Sequence, residues 1–378
     1  MLILPTTKTP TEEMWELATD AADSDDFYTI EDCMWMLRAL AKNTEVDQRA
    51  APLIVSVLRK SQNTYGASLA TCAVLADLIN EDTTPFAEAI PLIVTALGKW
   101  RKNTKFCEIG THALVTICPG KWRICAEAGA FSLFVQILKL HSENVYICKY
   151  ASRGLACMLK SPHPDLKTPN YHDVERVVKA DGVRTLVEII DNHIDSEQVC
   201  ISAIGALRLI SPFESVECVL PFLLELAEQY STNDALAYSI AYLLFEISTN
   251  YNLNEKSCTL AISTLQILLQ ENLYNSAICK FAAAALANVI GNNANHANSL
   301  NIKEVLLELQ DYYTNEKEIT NPICKVLHRI ADKHFTPHQH SLSPKSHNGV
   351  CDICSAETGE FMKCEECDYD ECLLCFRP

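Results

Sequence analysis

Between about Thr29 and Ala331, apolar residues recur every three to four positions in stretches of 10 to 20 residues, separated by polar breaks such as Asn43-Thr44 and Asn63-Thr64. That spacing lines one face of a helix with apolar side chains. Strand-like alternation is nearly absent, so the body is expected to be all helix. Ahead of it, Pro5, Pro10 and the acidic run ending near Asp26 mark an N-terminal arm or cap, residues 1–26, in which Trp15 and Leu17 start a short predicted helix. Past Ala331 the helical pattern stops. Thr336 to Asn348, with Pro337 and Pro344, reads as a linker running into a distinct C-terminal piece, residues 334–378.

The helices repeat. A small residue, a leucine and a branched apolar residue recur with the leucine at Leu75, Leu114, Leu155, Leu207, Leu244 and Leu286, at intervals of 39, 41, 52, 37 and 42. A cysteine stands seven residues before four of these markers, at Cys107, Cys148, Cys200 and Cys279, and Ile-Cys-Lys recurs from 147, 278 and 323. Four residues before the same markers come Gly110, Ala151, Ala203 and Ala282, small enough for close helix packing. The long interval contains Pro162-His-Pro164 and Pro169, where a surface loop of roughly ten extra residues is expected.

These intervals bracket the roughly 40-residue period of helical repeats, and two motifs make the resemblance specific. Ala128-Gly129-Ala130-Phe131 and Asp181-Gly182-Val183 each precede an apolar helix, with the glycine 26 and 25 residues before the next marker. They resemble the opening of the second helix of an armadillo repeat, with the glycine at a sharp turn. Ala284-Ala-Leu286-Ala-Asn288 resembles the third helix, whose asparagine lines the groove in peptide-binding members of that family. The same offset holds Asp77, Thr116, Cys157, Leu209 and Glu246 elsewhere, so an importin-like asparagine ladder is absent. The resemblance implies an all-α, armadillo/HEAT-like right-handed superhelix over residues 27–333, whose stacked units share one core and offer an extended binding surface.

Composition narrows the partners. With 48 acidic against 31 basic residues and a formal charge of −17, the chain repels phosphate backbones at long range. Nucleic acid is therefore not an expected partner, and protein partners with basic segments are. The first residues lack a signal-peptide pattern, and no stretch approaches the roughly 18 apolar residues of a membrane span. No membrane role is expected, and the compartment is expected to be intracellular and reducing, cytoplasm ahead of nucleus. The body cysteines are read as small core hydrophobes, and His112 and His328 as packing or capping residues. No phosphate loop, zincin motif or nucleophile elbow occurs, so no enzymatic activity is expected.

The tail carries the chemistry. His338-x-His340 is followed by the pairs Cys351-x2-Cys354, Cys364-x2-Cys367 and Cys372-x2-Cys375, eight soft ligands that match the needs of two four-coordinate zinc ions. Cysteines two apart form knuckles that aim both sulfurs at one ion. The segment resembles C1-type fingers of the DC1 branch and, through Asp368-Tyr369-Asp370, the related ZZ finger. That resemblance implies an interleaved cross-brace, with Cys351, Cys354, Cys372 and Cys375 on one Zn2+ and Cys364, Cys367, His338 and His340 on the other. His334 and His347 are alternatives for the fourth ligand of the second site. A closed four-ligand shell leaves no place for a reactive water, and zinc would supply most of the folding free energy of so small a module.

The expected function is a non-enzymatic interaction scaffold. One protein segment would lie on the repeats, and a second, basic one would meet the acidic residues of the finger, from Glu357 to Glu371. Two alternatives share this layout, a ubiquitin-ligase component or substrate receptor and a cargo adaptor that uses the repeats alone.

Overall fold

The computed structural model describes residues 9–41, 50–77, 82–160, 171–292, 302–314 and 316–331, together with strands at 343–350, 357–363 and 370–372. The chain divides into two compact units, Met1–Glu214 and Ser215–Pro378. The described residues up to Ala331 contain helices and turns without strand, as the apolar spacing predicts.

In the first unit the helices are α1 (Pro10–Asp23), α2 (Phe27–Ala41), α3 (Ala51–Ser61), α4 (Tyr65–Ala76), α5 (Ala89–Trp100) and α6 (Thr104–Ile117), then α7 (Trp122–Glu127), α8 (Ala130–Leu140), α9 (Val145–Leu159), α10 (Tyr171–Lys179), α11 (Gly182–Asn192) and α12 (Glu197–Ile210). Thr9 and Glu12 close a reciprocal capping box at the start of α1. That helix buries Met14, Ala18 and Ala21 and packs on α2 and α3, so this part of the N-terminal stretch belongs to the core. The ten extra residues of the long interval, including Pro162 and Pro169, lie outside the described residues.

The second unit contains α13 (Leu220–Tyr230), α14 (Asp234–Asn250), α15 (Glu255–Glu271), α16 (Ser276–Asn292), α17 (Ile302–Tyr312) and α18 (Lys317–Ala331), followed by β1 (Ser343–Val350), β2 (Glu357–Lys363) and β3 (Asp370–Cys372). The strands form one antiparallel sheet in the order β1-β2-β3.

Each marker leucine sits in the third helix of its repeat at 0–1% exposure. Those helices stack on one another, α2, α4, α6, α9 and α12 in the first unit and α14, α16 and α18 in the second. The turn into a third helix is built alike in several repeats, though Thr64 and Ser196 at the starts of α4 and α12 make no side-chain cap. An asparagine caps the helix, with the side-chain oxygens of Asn103, Asn144 and Asn233 accepting from the N–H of Phe106, Ile147 and Leu236 at 2.9–3.0 Å, a contact worth about 1 kcal/mol. The cysteine four residues on from Asn103, Asn144, Ser196 or Asn275 points back into the turn, and Ala237 takes that place after Asn233. Cys107 Sγ donates to Arg101 O at 3.3 Å, Cys200 Sγ to His193 O at 3.3 Å and Cys279 Sγ to Asn272 O at 3.2 Å. These thiols are thus core residues with one polar duty, and burial pushes those of Cys107, Cys148 and Cys200 up to about 12.

A side chain also ties each turn to the one before it. His141 Nε2 meets Arg101 O at 2.8 Å and His193 Nε2 meets Ser142 O at 2.6 Å. In the second unit Asn272 Nδ2 donates to Ser231 O at 2.8 Å and Tyr313 OH to Leu273 O at 2.9 Å.

The two glycine turns differ from each other. Gly129 has φ +80° at the start of α8, the left-handed turn its motif predicts. In the second copy Asp181 takes that conformation, at φ 66°, and Gly182 is already helical. Glycine is needed at 182 for space, because a Cβ there would stand 2.4 Å from Val177 Cγ1 and 2.8 Å from its carbonyl oxygen.

Candidate functional site

In the first unit, side chains that are not consumed by packing gather on the third-helix stack. His112 of α6 stacks against Tyr150 of α9, with centroids 4.1 Å apart and planes 35° apart. Tyr146, one turn earlier on α9, lies 4.6 Å from Tyr150, and its hydroxyl is 3.1 Å from His112 Nδ1. Lys149 Nζ sits 5.5 Å from the Tyr150 centroid, a cation–π contact. Tyr146 is 43% exposed, so the cluster has an open side.

Charge around His112 is lopsided. Burial lowers its pKa; Asp77 opposes that shift, and Arg153, Lys149 and Arg38 add to it. The imidazole is therefore neutral near pH 7. Asp77 is itself held by Arg38 Nε at 2.6 Å, and Arg38 lies over Trp35 at 5.2 Å. Glu108, the other acid close to Tyr146, accepts from Asn144 Nδ2 at 3.1 Å. Arg38 is thus paired with Asp77, which leaves Lys149 and Arg153 as the cations beside the cluster without a carboxylate partner among the described residues.

The second unit repeats the geometry with other chemistry. Tyr242 of α14 lies 4.4 Å from Phe281 of α16, and Tyr238 and Phe245 each lie 5.6 Å from Phe281. Tyr242 stands two residues before its marker and Phe281 five before the next, the offsets held by His112 and Tyr150. Lys280 covers Phe281 at 6.0 Å, but an ion pair to Glu318 already matches its charge. Asn288 Nδ2, on the family's groove offset, donates to Thr249 Oγ1 at 3.1 Å, so it is spent within the unit.

These paired rings were not picked out from sequence, where attention went to Asn288 and the cysteines. A signal was present. Ile-Cys-Lys is followed by an aromatic residue at Tyr150 and Phe281, and by the buried Val326 in the third copy. His112, read as a packing residue, packs and also forms part of the open cluster. The side chain of His328 lies outside the described residues.

Of the eight expected zinc ligands, His338, His340, Cys351, Cys354, Cys364, Cys367 and Cys375 lie outside the described residues, and Cys372 is described in its backbone alone. The alternative His334 also lies outside, and His347 is described as a backbone position of β1. Among the residues described with side chains, no three His, Cys, Asp or Glu are grouped to hold a metal ion. The strand register is informative. Ser343 pairs with Lys363 and Val350 with Glu357, while Lys363 also pairs with Asp370 and Phe361 with Cys372. One end of the sheet therefore holds the entry to β1 and the exit of β2. The other end holds the exit of β1 and the entry of β2, and the short β3 runs toward it but stops at Cys372, opposite Phe361.

No protein-family model matches the chain, and no curated relative matches its sequence. Solved structures do resemble it. A chain from work on a phosphorylation switch controlling the interaction between cadherin and β-catenin aligns with TM-score 0.67 and 15% identity, over 84% of this chain and 60% of that one. A designed armadillo repeat protein aligns with TM-score 0.50 and 19% identity, over 62% of this chain and 99% of its own. The fold is of the armadillo type. An engineered protein with TM-score 0.64 and 18% identity, matched over 84% of this chain and 78% of its own, extends that likeness. At such identities the armadillo likeness is one of fold alone.

Proposed function

We propose that the protein is a non-enzymatic scaffold that holds an extended acidic segment of a partner on the third-helix face of its first unit. The observation that carries this reading is the half-open His112–Tyr146–Tyr150 cluster ringed by Arg38, Lys149 and Arg153. Aromatic rings with a flanking cation are the residue types that dominate binding energy at protein interfaces. The overall charge of −17 slows approach of an acidic segment, but at physiological salt its reach is only about 8 Å. Lys149 and Arg153, the cations beyond the Arg38–Asp77 pair, act at contact.

The tail is read as a two-zinc module that keeps the role expected for it, docking a basic element on its acidic surface. The donor set, six thiols and two imidazoles, suits structural zinc, which would supply folding energy without a reactive site. Support for the interleaved pairing comes from the register. His338 and His340 stand in sequence just ahead of Ser343, at the sheet end where β2 leaves toward Cys364 and Cys367. Cys351 and Cys354 follow β1 at the opposite end, toward which β3 runs from Asp370 to Cys372.

Fluorescence anisotropy on the full-length, zinc-loaded protein tests the main reading, with two labelled peptides of equal length, one glutamate-rich and one lysine-rich. Tyr150→Ala is expected to weaken the glutamate-rich peptide about tenfold, or about 1.4 kcal/mol. Unchanged affinity in that variant sinks the assignment.

A further inference from the structure

The turn between α5 and α6 carries Lys99-Trp100-Arg101-Lys102-Asn103, three cations in five residues of an otherwise acidic chain. These residues wall a hollow of about 370 Å3. No carboxylate lines it, and among the described residues none is paired with Lys99, Arg101 or Lys102. Lys99 Nζ donates to Asn63 Oδ1 at 2.8 Å, and Arg101 Nη1 donates to Gly98 O at 2.8 Å. Both acceptors are neutral, so the charge in the hollow is unmatched. Trp100 adds a fourth donor, since its indole Nε1 is buried and has no acceptor. A buried N–H without a partner is costly and uncommon in a folded protein.

The indole is held in place. Its ring stands edge-on to Tyr65 at 5.4 Å and tilted against Phe106 at 6.3 Å. Lys99 Nζ lies 5.1 Å from its centroid. A solvated basic turn would account for the three exposed cations but not for the unpartnered indole N–H of Trp100, which lines the same hollow.

We propose that this hollow is an oxyanion site for a phosphate monoester. A dianion with three acceptor oxygens matches a hollow lined by three cations better than the single charge of a carboxylate. On binding, Lys99 swings from Asn63 onto the anion and opens the indole edge. The site does not depend on the ring cluster of α6 and α9, which can fail its own test without affecting this one.

The experiment titrates full-length 15N-labelled protein with inorganic phosphate at constant ionic strength, with chloride as the control, and follows the indole N–H signals. Of the four tryptophans, Trp100 alone should show a saturable shift. Trp100→Phe, which retains a ring against Tyr65 and Phe106, assigns that signal. The double variant Arg101→Ala/Lys102→Ala removes two exposed side chains and should raise the half-saturation concentration about tenfold. A phosphoserine peptide run in parallel identifies the source: tighter binding than inorganic phosphate means a modified protein segment, and equal binding means free phosphate. A shift that chloride reproduces, or a half-saturation the double variant leaves unchanged, overturns the proposal.

Discussion

The two units set the same pair of positions against each other and fill them with different chemistry. In the first, His112 and Tyr150 stack at 4.1 Å, with Arg38 held by Asp77 and with Lys149 and Arg153 lacking a carboxylate partner among the described residues. In the second, Tyr242 and Phe281 stack at 4.4 Å, with Lys280 held by Glu318 and Asn288 held by Thr249. The repeat register fixes where rings meet, because each third helix packs on its neighbour at the same offset. What the face attracts depends on whether the surrounding charges are already paired. The first unit therefore keeps two unmatched cations, Lys149 and Arg153, beside its rings, and the second an aromatic face whose lysine is paired.

The largest expected effects are those that remove the support beneath either face. Leu155→Ala in the first unit and Leu286→Ala in the second each delete a fully buried marker side chain. Each should cost about 2–5 kcal/mol in chemical denaturation. Equal losses would show that the two frames are equally well packed and that the difference lies in their surfaces.

Next come the rings. Tyr150→Ala should lower affinity for the glutamate-rich peptide about tenfold, whereas Phe281→Ala, its positional twin, should leave that affinity within about twofold. Equal losses would erase the distinction between the units.

A pH series sharpens the comparison further. Burial holds His112 below its ordinary value of 6.5, so the unfolded chain binds the proton more readily than the folded one. The stability from neutral His112 is in full force above about pH 6.5 and is lost as pH falls through the lower folded value. His112→Phe should flatten the slope of stability against pH in that window. An acidic segment on the face favours the imidazolium, so wild-type affinity should rise as pH drops below 6.5 and should not do so in His112→Phe. The smallest effect belongs to Asn288→Ala, which removes a half-exposed hydrogen bond to Thr249. It should cost about 0.5–1 kcal/mol of stability and leave acidic-peptide binding unchanged.

Much of the frame was legible in the chain itself. The six marker leucines and the four cysteines seven residues before markers are all buried in third helices, because a 3.6-residue periodicity and a 40-residue recurrence are both written locally. The ring pairs were harder to see. His112 and Tyr150 are 38 residues apart, and their contact follows only once α6 and α9 are stacked in register. Charge pairing is harder still, since Lys280 and Lys149 share one motif and differ only in having Glu318 nearby or not. The turn at Asp181 shows a third limit. Glycine at 182 suggested a left-handed residue there, while the structure uses it for room against Val177 and places the strained conformation one residue earlier. In the tail, donor counting from sequence went further than the described structure, which contributes the register of three strands.

Hydrogen–deuterium exchange on the 378-residue protein, with and without a saturating glutamate-rich peptide, tests the central claim most directly. Slowed exchange concentrated in α6 and α9, around His112 and Tyr146 to Tyr150, and absent with a lysine-rich peptide of equal length, is the predicted result. Equal protection by both peptides, or protection confined to α14 and α16, would contradict it.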